Sequence, residues 1–388
     1  MAKRILIVVG IPHFDYSNEK SAVCSFLQTI KTAVEAEGHL AYFPTENNEH
    51  FVTGGDQNIS FKERLINSIK KVLKGFPWLY HSFSMKAHLK EHDKLIQQVK
   101  AGEKYDQIIE FYTVGSELGK QLAELWTCKL SVVYDAPVDE QFLEMHGTKT
   151  YYWTEIQKRE KETLEKANKI MAYSPECKSY IIKRYEIQSD VGILPCVVSK
   201  PWVNNAPAAD IFNLTFIGSF LSWHKVDLLV EVFEELRSVI PNLRLQLIGY
   251  GEEWESIKHL INKKGLEENV DMPGFVSESE LLKYKKNSHI AVMPGSNWYG
   301  SPLKLFEYAQ SGIPFIAPET PTIQSIFKSG EHCRYIDASN EVKSLCEEVF
   351  FLYQNPSLRE EMAKRAKQLI EERYSEKRYT TKLSEILL

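Results

Sequence analysis

At 388 residues the chain is longer than one ordinary hydrophobic core organises, so two domains of about 150 to 200 residues are expected. Hydrophobic residues make up 43% and charged residues 26%, and 47 Lys plus Arg against 52 Asp plus Glu leave a net charge of −5, so no basic excess points to nucleic acid. Six scattered cysteines (Cys24, Cys128, Cys177, Cys196, Cys333, Cys346) form no CxxC and no Cys/His cluster, which argues against structural zinc and a disulfide framework and suits a reducing cytosol.

The opening MAKRILIVVGIP holds an apolar run of only about seven residues before Pro12, too short for a signal peptide and better read as a buried strand. No run of about 18 apolar residues occurs, so no membrane span is expected. Ile5 to Gly10 reads as a parallel-type strand, Ser21 to about Glu37 as a helix closed by Gly38, and Leu40 to Phe43 as a second strand. That order is a βαβ unit, and a Rossmann-like sheet begins here.

Residues 58–104 break the rhythm. Two helical segments, Phe61 to Leu73 and Met85 to Val99, flank an aromatic hinge from Gly75 to Tyr80. Lys62, Arg64, Lys70, Lys71, Lys74, Lys86, Lys90 and Lys94 face only Glu63, Glu91 and Asp93. Such an insert reads either as a solvated helical face with a packed hinge or as a peripheral contact with an anionic membrane surface.

The α/β rhythm then resumes. Strands are expected at Gln107 to Tyr112, Leu130 to Tyr134, Lys169 to Ser174 and Gly192 to Pro195, with helices at Ser116 to Thr127, Thr154 to Ala167 and Pro175 to Tyr185. The strand at Leu130 runs into Asp135-Ala-Pro-Val138. Ser199 to Asp210, with two prolines and two asparagines, is the expected linker.

After it the pattern restarts. Strands at Asn213 to Ile217, Leu243 to Ile248 and Val270 to Met272 alternate with helices at Val226 to Val239, Glu253 to Lys264 and a Ser277-capped helix to Asn287. Met293 to Phe315 follows. A buried strand (His289 to Met293) leads through a Gly-containing turn to a helix for which Ser301 is the expected N-cap and Pro302 the first residue, stopped by Gly312 and Pro314. Ile313 to Ala317 is the next strand, and Glu341 to Leu388 is mostly helical. A helix N-terminus carrying Lys304 and Glu307 after such a turn makes an anion site, because free N–H groups and the helix dipole favour a phosphate.

The segments FIGSFLSWHKVDLLVEVF, LQLIGYGEE, VDMPGFVSESELLKYKKNSHIAVMP and SPLKLFEYAQSGIPFIA, in this order and spacing, resemble the large retaining GT-B glycosyltransferase group 1 family (family 4-like) over roughly residues 210–330. The first half resembles it more loosely, through VVYDAPV. The resemblance implies an α/β fold of two Rossmann-like domains facing across a cleft: residues 1–200 for the acceptor, including the insert at about 58–104, residues 210–370 for the nucleotide sugar, and a C-terminal helix, 371–388, packing back on the first domain.

It also implies roles. Glu307 matches the acidic residue that accepts the ribose hydroxyls. Gly300, Ser301, Pro302 and Leu303 match the turn that meets the diphosphate through N–H groups, of which Pro302 has none. Phe275 and Val276 match the loop edging the base, and Gly218 with Ser219 matches the tight turn facing the phosphates. Asp135 stands where a sugar-facing residue is usual. Several positions depart from the family pattern. Tyr299 occupies the place of a first acidic residue, Ser219 that of an arginine, and His224 with Lys225 that of a Lys-Gly pair. Lys304 is an additional cation, expected to supply the missing charge with His224 or Lys225. Asp15 to Ser21 lacks the glycine pair of the first half.

The implied activity is a retaining, metal-independent hexosyltransferase, needing no cofactor beyond its nucleotide-sugar donor, with UDP expected over GDP. Its acceptor would be a glycan, a lipid-linked or a small molecule, and no nucleic acid is implied. Cytoplasmic residence is expected, with peripheral contact at the inner membrane face under the second reading of the insert. Two rivals remain: a nucleotide-binding partner protein on the same scaffold, motivated by Tyr299 and Ser219, and a sugar-nucleotide epimerase, for which no clear acid/base pair is present.

Overall fold

The computed structural model describes residues 2–11, 22–44, 77–194, 207, 210–300 and 302–387. The expected helix Phe61 to Leu73 with its cations, the stretch Asp15 to Ser21, Ser301 and nearly all of the linker lie outside the described residues. The chain divides into two compact units, Met1–Pro195 with Thr380–Leu388, and Cys196–Tyr379.

The first unit holds a parallel sheet in the order β2-β1-β3-β4-β5-β6. Its strands are β1 (Arg4–Val9), β2 (Leu40–Tyr42), β3 (Gln107–Phe111), β4 (Lys129–Tyr134), β5 (Lys169–Ala172) and β6 (Asp190–Ile193). Ile5 to Val9 are at most 1% exposed, as an apolar run covered by helices on both faces requires. The covering helices are α1 (Ala22–Ala36), α2 (Pro77–Lys100), α3 (Leu118–Trp126), α4 (Val138–His146), α5 (Trp153–Lys166) and α6 (Pro175–Tyr185).

Two sequence expectations change here. Pro77 to Tyr80 are not a hinge but the first turn of α2, where proline's missing N–H leaves no bond unmade. Ser82, Met85, Leu89, His92, Ile96 and Val99 then form its buried stripe. The segment after Asp135, for which no helix was expected, enters helix α4, with Asp139 and Glu140 in its first turn.

The second unit repeats the plan with order β12-β11-β10-β7-β8-β9. Its strands are β7 (Phe212–Ile217), β8 (Leu243–Ile248), β9 (Val270–Gly274), β10 (Ile290–Val292), β11 (Phe315–Pro318) and β12 (Arg334–Ile336). Helices α7 (Val226–Leu236), α8 (Trp254–Lys264), α9 (Glu278–Asn287), α10 (Leu303–Gln310), α11 (Pro321–Gln324), α12 (Glu341–Gln354), α13 (Pro356–Arg373) and α14 (Glu376–Leu387) complete the described chain. A core of Phe212, Leu214, Phe216, Leu229, Phe233, Leu245 and Leu247 lies between the sheet and its helices. In the first unit, Lys169 Nζ donates to the Glu385 carbonyl at 3.5 Å, so the end of α14 packs there. No helix among the described residues is long and apolar enough to cross a membrane.

Candidate functional site

In the second unit the C-terminal ends of β7, β8 and β10 converge with the start of α10. Gly218, just past β7, donates its N–H to the Ile248 carbonyl at 2.9 Å. A Cβ on Gly249 (φ +131°) would stand 1.9 Å from the Gly218 carbonyl oxygen, and a Cβ on Gly218 would stand 2.0 Å from Lys304 Cε. Only glycines allow the two turns and the lysine stem to close up this far.

Lys304 reaches across Gly218, and its Nζ lies 2.9 Å from His224 Nε2. An ammonium can only donate, so Nε2 accepts, and the ring proton sits on Nδ1, which donates to the Ser219 carbonyl at 2.7 Å. Burial and then the Lys304 charge push the His224 pKa down to about 3, so the ring stays neutral. Burial likewise lowers the Lys304 pKa to about 8, while the nearby Glu307 acts to raise it. A half-buried cation thus lies beside two glycine turns, held by a neutral acceptor that leaves its charge uncancelled.

Helix α10 starts at Leu303 rather than at Pro302, which instead holds the N-cap position (φ −81°, ψ 54°). The Pro302 carbonyl accepts from Leu305 N (2.9 Å) and Phe306 N (3.1 Å), leaving the Leu303 and Lys304 amides without an intrahelical acceptor. The helix is tied to β7 by the buried Tyr308, whose hydroxyl accepts from Ile217 N at 3.0 Å. Gly312 closes it, donating to the Ala309 carbonyl.

The other expected site residues distribute unevenly. Glu307 lies on α10, and its Oε2 is 3.0 Å from Nζ of Lys285, a residue buried to 2% exposure that the sequence did not single out. Lys285 sits in a polar, lysine-rich helix with no sequence signal of its burial. Lys225 gives its ammonium to Glu341 at 2.5 Å, so it is Lys304 and not Lys225 that joins His224. Tyr299, only 2% exposed, is a packed side chain with its ring 5.1 Å from that of Trp298. Gly300 stands close to the Asn297 side chain, and Leu303 and Val276 are half-buried. Phe275, at 83% exposure, ends an aromatic series running through Tyr250 and Trp254 to Phe220, with centroid spacings of 5.8, 5.1 and 5.4 Å.

Asp135 belongs to the first unit, at the C-terminal end of β4. Burial raises its carboxyl pKa to about 7, against the opposing pull of backbone N–H groups. It lines a cavity of about 590 Å³ together with Tyr80, His81, His88, Thr113, Phe142 and His146. His81 and His146 stack there at 4.2 Å.

Two parallel sheets of this order define the GT-B class of fold, and solved structures agree. Sucrose-phosphate synthase from Thermosynechococcus elongatus superposes with a TM-score of 0.73 over 99% of this chain and 98% of that one, at 16% identity. Anabaena HepE, solved with UDP-glucose, superposes with a TM-score of 0.68 over 99% and 98%, at 13% identity. Residues 205–369, which lie in the second unit, match the family described as glycosyl transferases group 1. An uncharacterized glycosyltransferase of Haemophilus influenzae is 25% identical over 157 residues, 40% of this chain and 43% of that protein. The chain aligns with less than half the length of the curated relatives it matches.

Proposed function

We propose that the chain is a retaining, metal-independent glycosyltransferase that moves a hexose-type sugar from a nucleoside-diphosphate donor to a glycan, lipid-linked or small-molecule acceptor. The observation that carries this reading is the Lys304 ammonium, poised on a neutral His224 beside Gly218 and the first amides of α10. As the glycosidic bond breaks, negative charge grows on the diphosphate, and a preorganised cation and N–H groups stabilise it without reorganising. Glu307 accepts the ribose hydroxyls. The acceptor attacks the face from which the diphosphate departs, so no side-chain nucleophile is assigned. Asp135 and the cavity it lines are assigned to sugar recognition. UDP is the donor nucleotide favoured, supported by the UDP-glucose carried by HepE.

A second reading, a nucleotide-binding partner protein, draws on Tyr299, which is buried where the family has a carboxylate. One series of measurements separates them. Thermal shift with UDP, GDP, ADP and their sugars is expected to show stabilisation by a UDP compound, since a ligand of the native state raises its apparent stability. Release of UDP from the matching sugar nucleotide is then expected, and its loss in Glu307→Ala. Binding without any turnover would favour the partner protein, and no binding at all would overturn both.

A further inference from the structure

Lys285 is a buried ionic group of the second unit that the proposed reaction does not use. Taking an ammonium out of water carries a penalty of several kcal/mol, and a salt bridge of this kind is weak evidence for stability, so a role in specificity is the more informative question. Two features offset the penalty: Lys285 lies in the last turn of α9, where the helix dipole is negative, and its Nζ meets Glu307 Oε2 at 3.0 Å.

Both helices are held firmly. Helix α9 begins in a Ser277/Glu280 capping box, and its Tyr284 hydroxyl donates to Asp271 on β9 at 2.7 Å. Helix α10 is fixed to β7 through Tyr308. The Glu307 side chain is 32% exposed, so its carboxylate is anchored at one oxygen and remains reachable from solvent. Its natural competitor is Lys304, one turn earlier on the same helix face, where opposite charges attract. Lys304 lies on His224 instead.

We propose that Lys285 is a positioning residue that keeps Glu307 turned toward the ribose diol of the nucleotide and away from Lys304, so that the carboxylate and the phosphate-binding cation stay separate. This rests on the reading of Glu307 as the ribose contact. Without Lys285, Glu307 turns onto Lys304, and both the ribose and the diphosphate lose a partner.

The test is calorimetric titration of the full chain with UDP and with 2′,3′-dideoxy-UDP, which lacks the diol. The wild type is expected to prefer UDP, and Glu307→Gln to lose most of that preference. Lys285→Met is expected to lose roughly ten-fold of it, in line with a buried charged hydrogen bond, and the double variant to be no worse than Glu307→Gln. If Glu307→Gln keeps the wild-type preference, the ribose reading falls and the inference with it. If Glu307→Gln loses it while Lys285→Met keeps it, Lys285 is structural only and the inference alone is overturned. Should Lys285→Met fail to fold, Lys285→Gln, neutral and shorter in reach, carries the same expectation, and wild-type preference in it is equally fatal.

Discussion

The cation at position 304 is held at the edge of its charged range. With its pKa lowered to about 8, the ammonium is complete near pH 7 and is lost as the pH rises through 8. Binding of UDP is therefore expected to weaken between pH 7 and 9.5 by roughly ten- to thirty-fold, the upper figure being the fall in the ammonium fraction for a pKa of about 8. Lys304→Met should be weak at both pH values and flat between them. A wild-type titration that is flat over this range would remove Lys304 from the phosphate site. Gly218→Ala gives a second check, because its Cβ would occupy the place of Lys304 Cε. The stem must move aside and a side chain strains the backbone at φ +158°, so the expected result is lost UDP affinity together with a lowered thermal midpoint.

At the scale of elements, α10 carries the site, and the Tyr308 hydroxyl sets its distance from β7. Tyr308→Phe leaves the part-buried Ile217 N–H without its acceptor, which costs about 1 kcal/mol. Denaturant unfolding should report that loss, and UDP affinity should fall with it as the Lys304 stem loses its seat. Unchanged stability would mean that the hydroxyl does not fix the helix. Which elements were legible follows from their chemistry. Helix Pro175–Tyr185 and strand Leu243–Ile248 end where the sequence places them, because proline at a helix start and a glycine after a buried run leave little freedom. Helix Val138–His146 was missed: it follows Pro137, has no side-chain cap and buries only Val138 and Asp139, so no apolar period announces it. The start of α10 was misplaced by one residue, since Pro302 takes the N-cap position in place of the first helical one.

For the whole molecule, the two units carry opposite buried titrations. In the first, burial raises Glu110 to about 7, Asp135 to about 7 and Glu160 to about 8, and these outnumber His92, lowered to about 4. Raised carboxyls give stability that is present in acid and lost as the pH climbs through their folded values. In the second, His224 and His289 are lowered to about 3 and 4, so stability is lost as the pH falls below about 6.5. Moving from pH 5 to 7.5 should weaken the first unit and strengthen the second. Amide exchange in peptides from β3–β4 and from β7–β8, corrected for intrinsic rates, measures both, and a common direction of change would refute the assignment.

The sequence by itself determined the twofold α/β plan, since parallel strands buried on both faces must read as short apolar runs between amphipathic helices. It also singled out Lys304 and Glu307, because a charged helix start is a local feature, and the family resemblance added Gly218 and His224. What it left open was which charges meet. Only the tertiary structure gave Lys225 to Glu341, Lys304 to His224 and the buried Lys285 to Glu307, because such pairings depend on the distances between elements far apart in the chain, which no local pattern encodes.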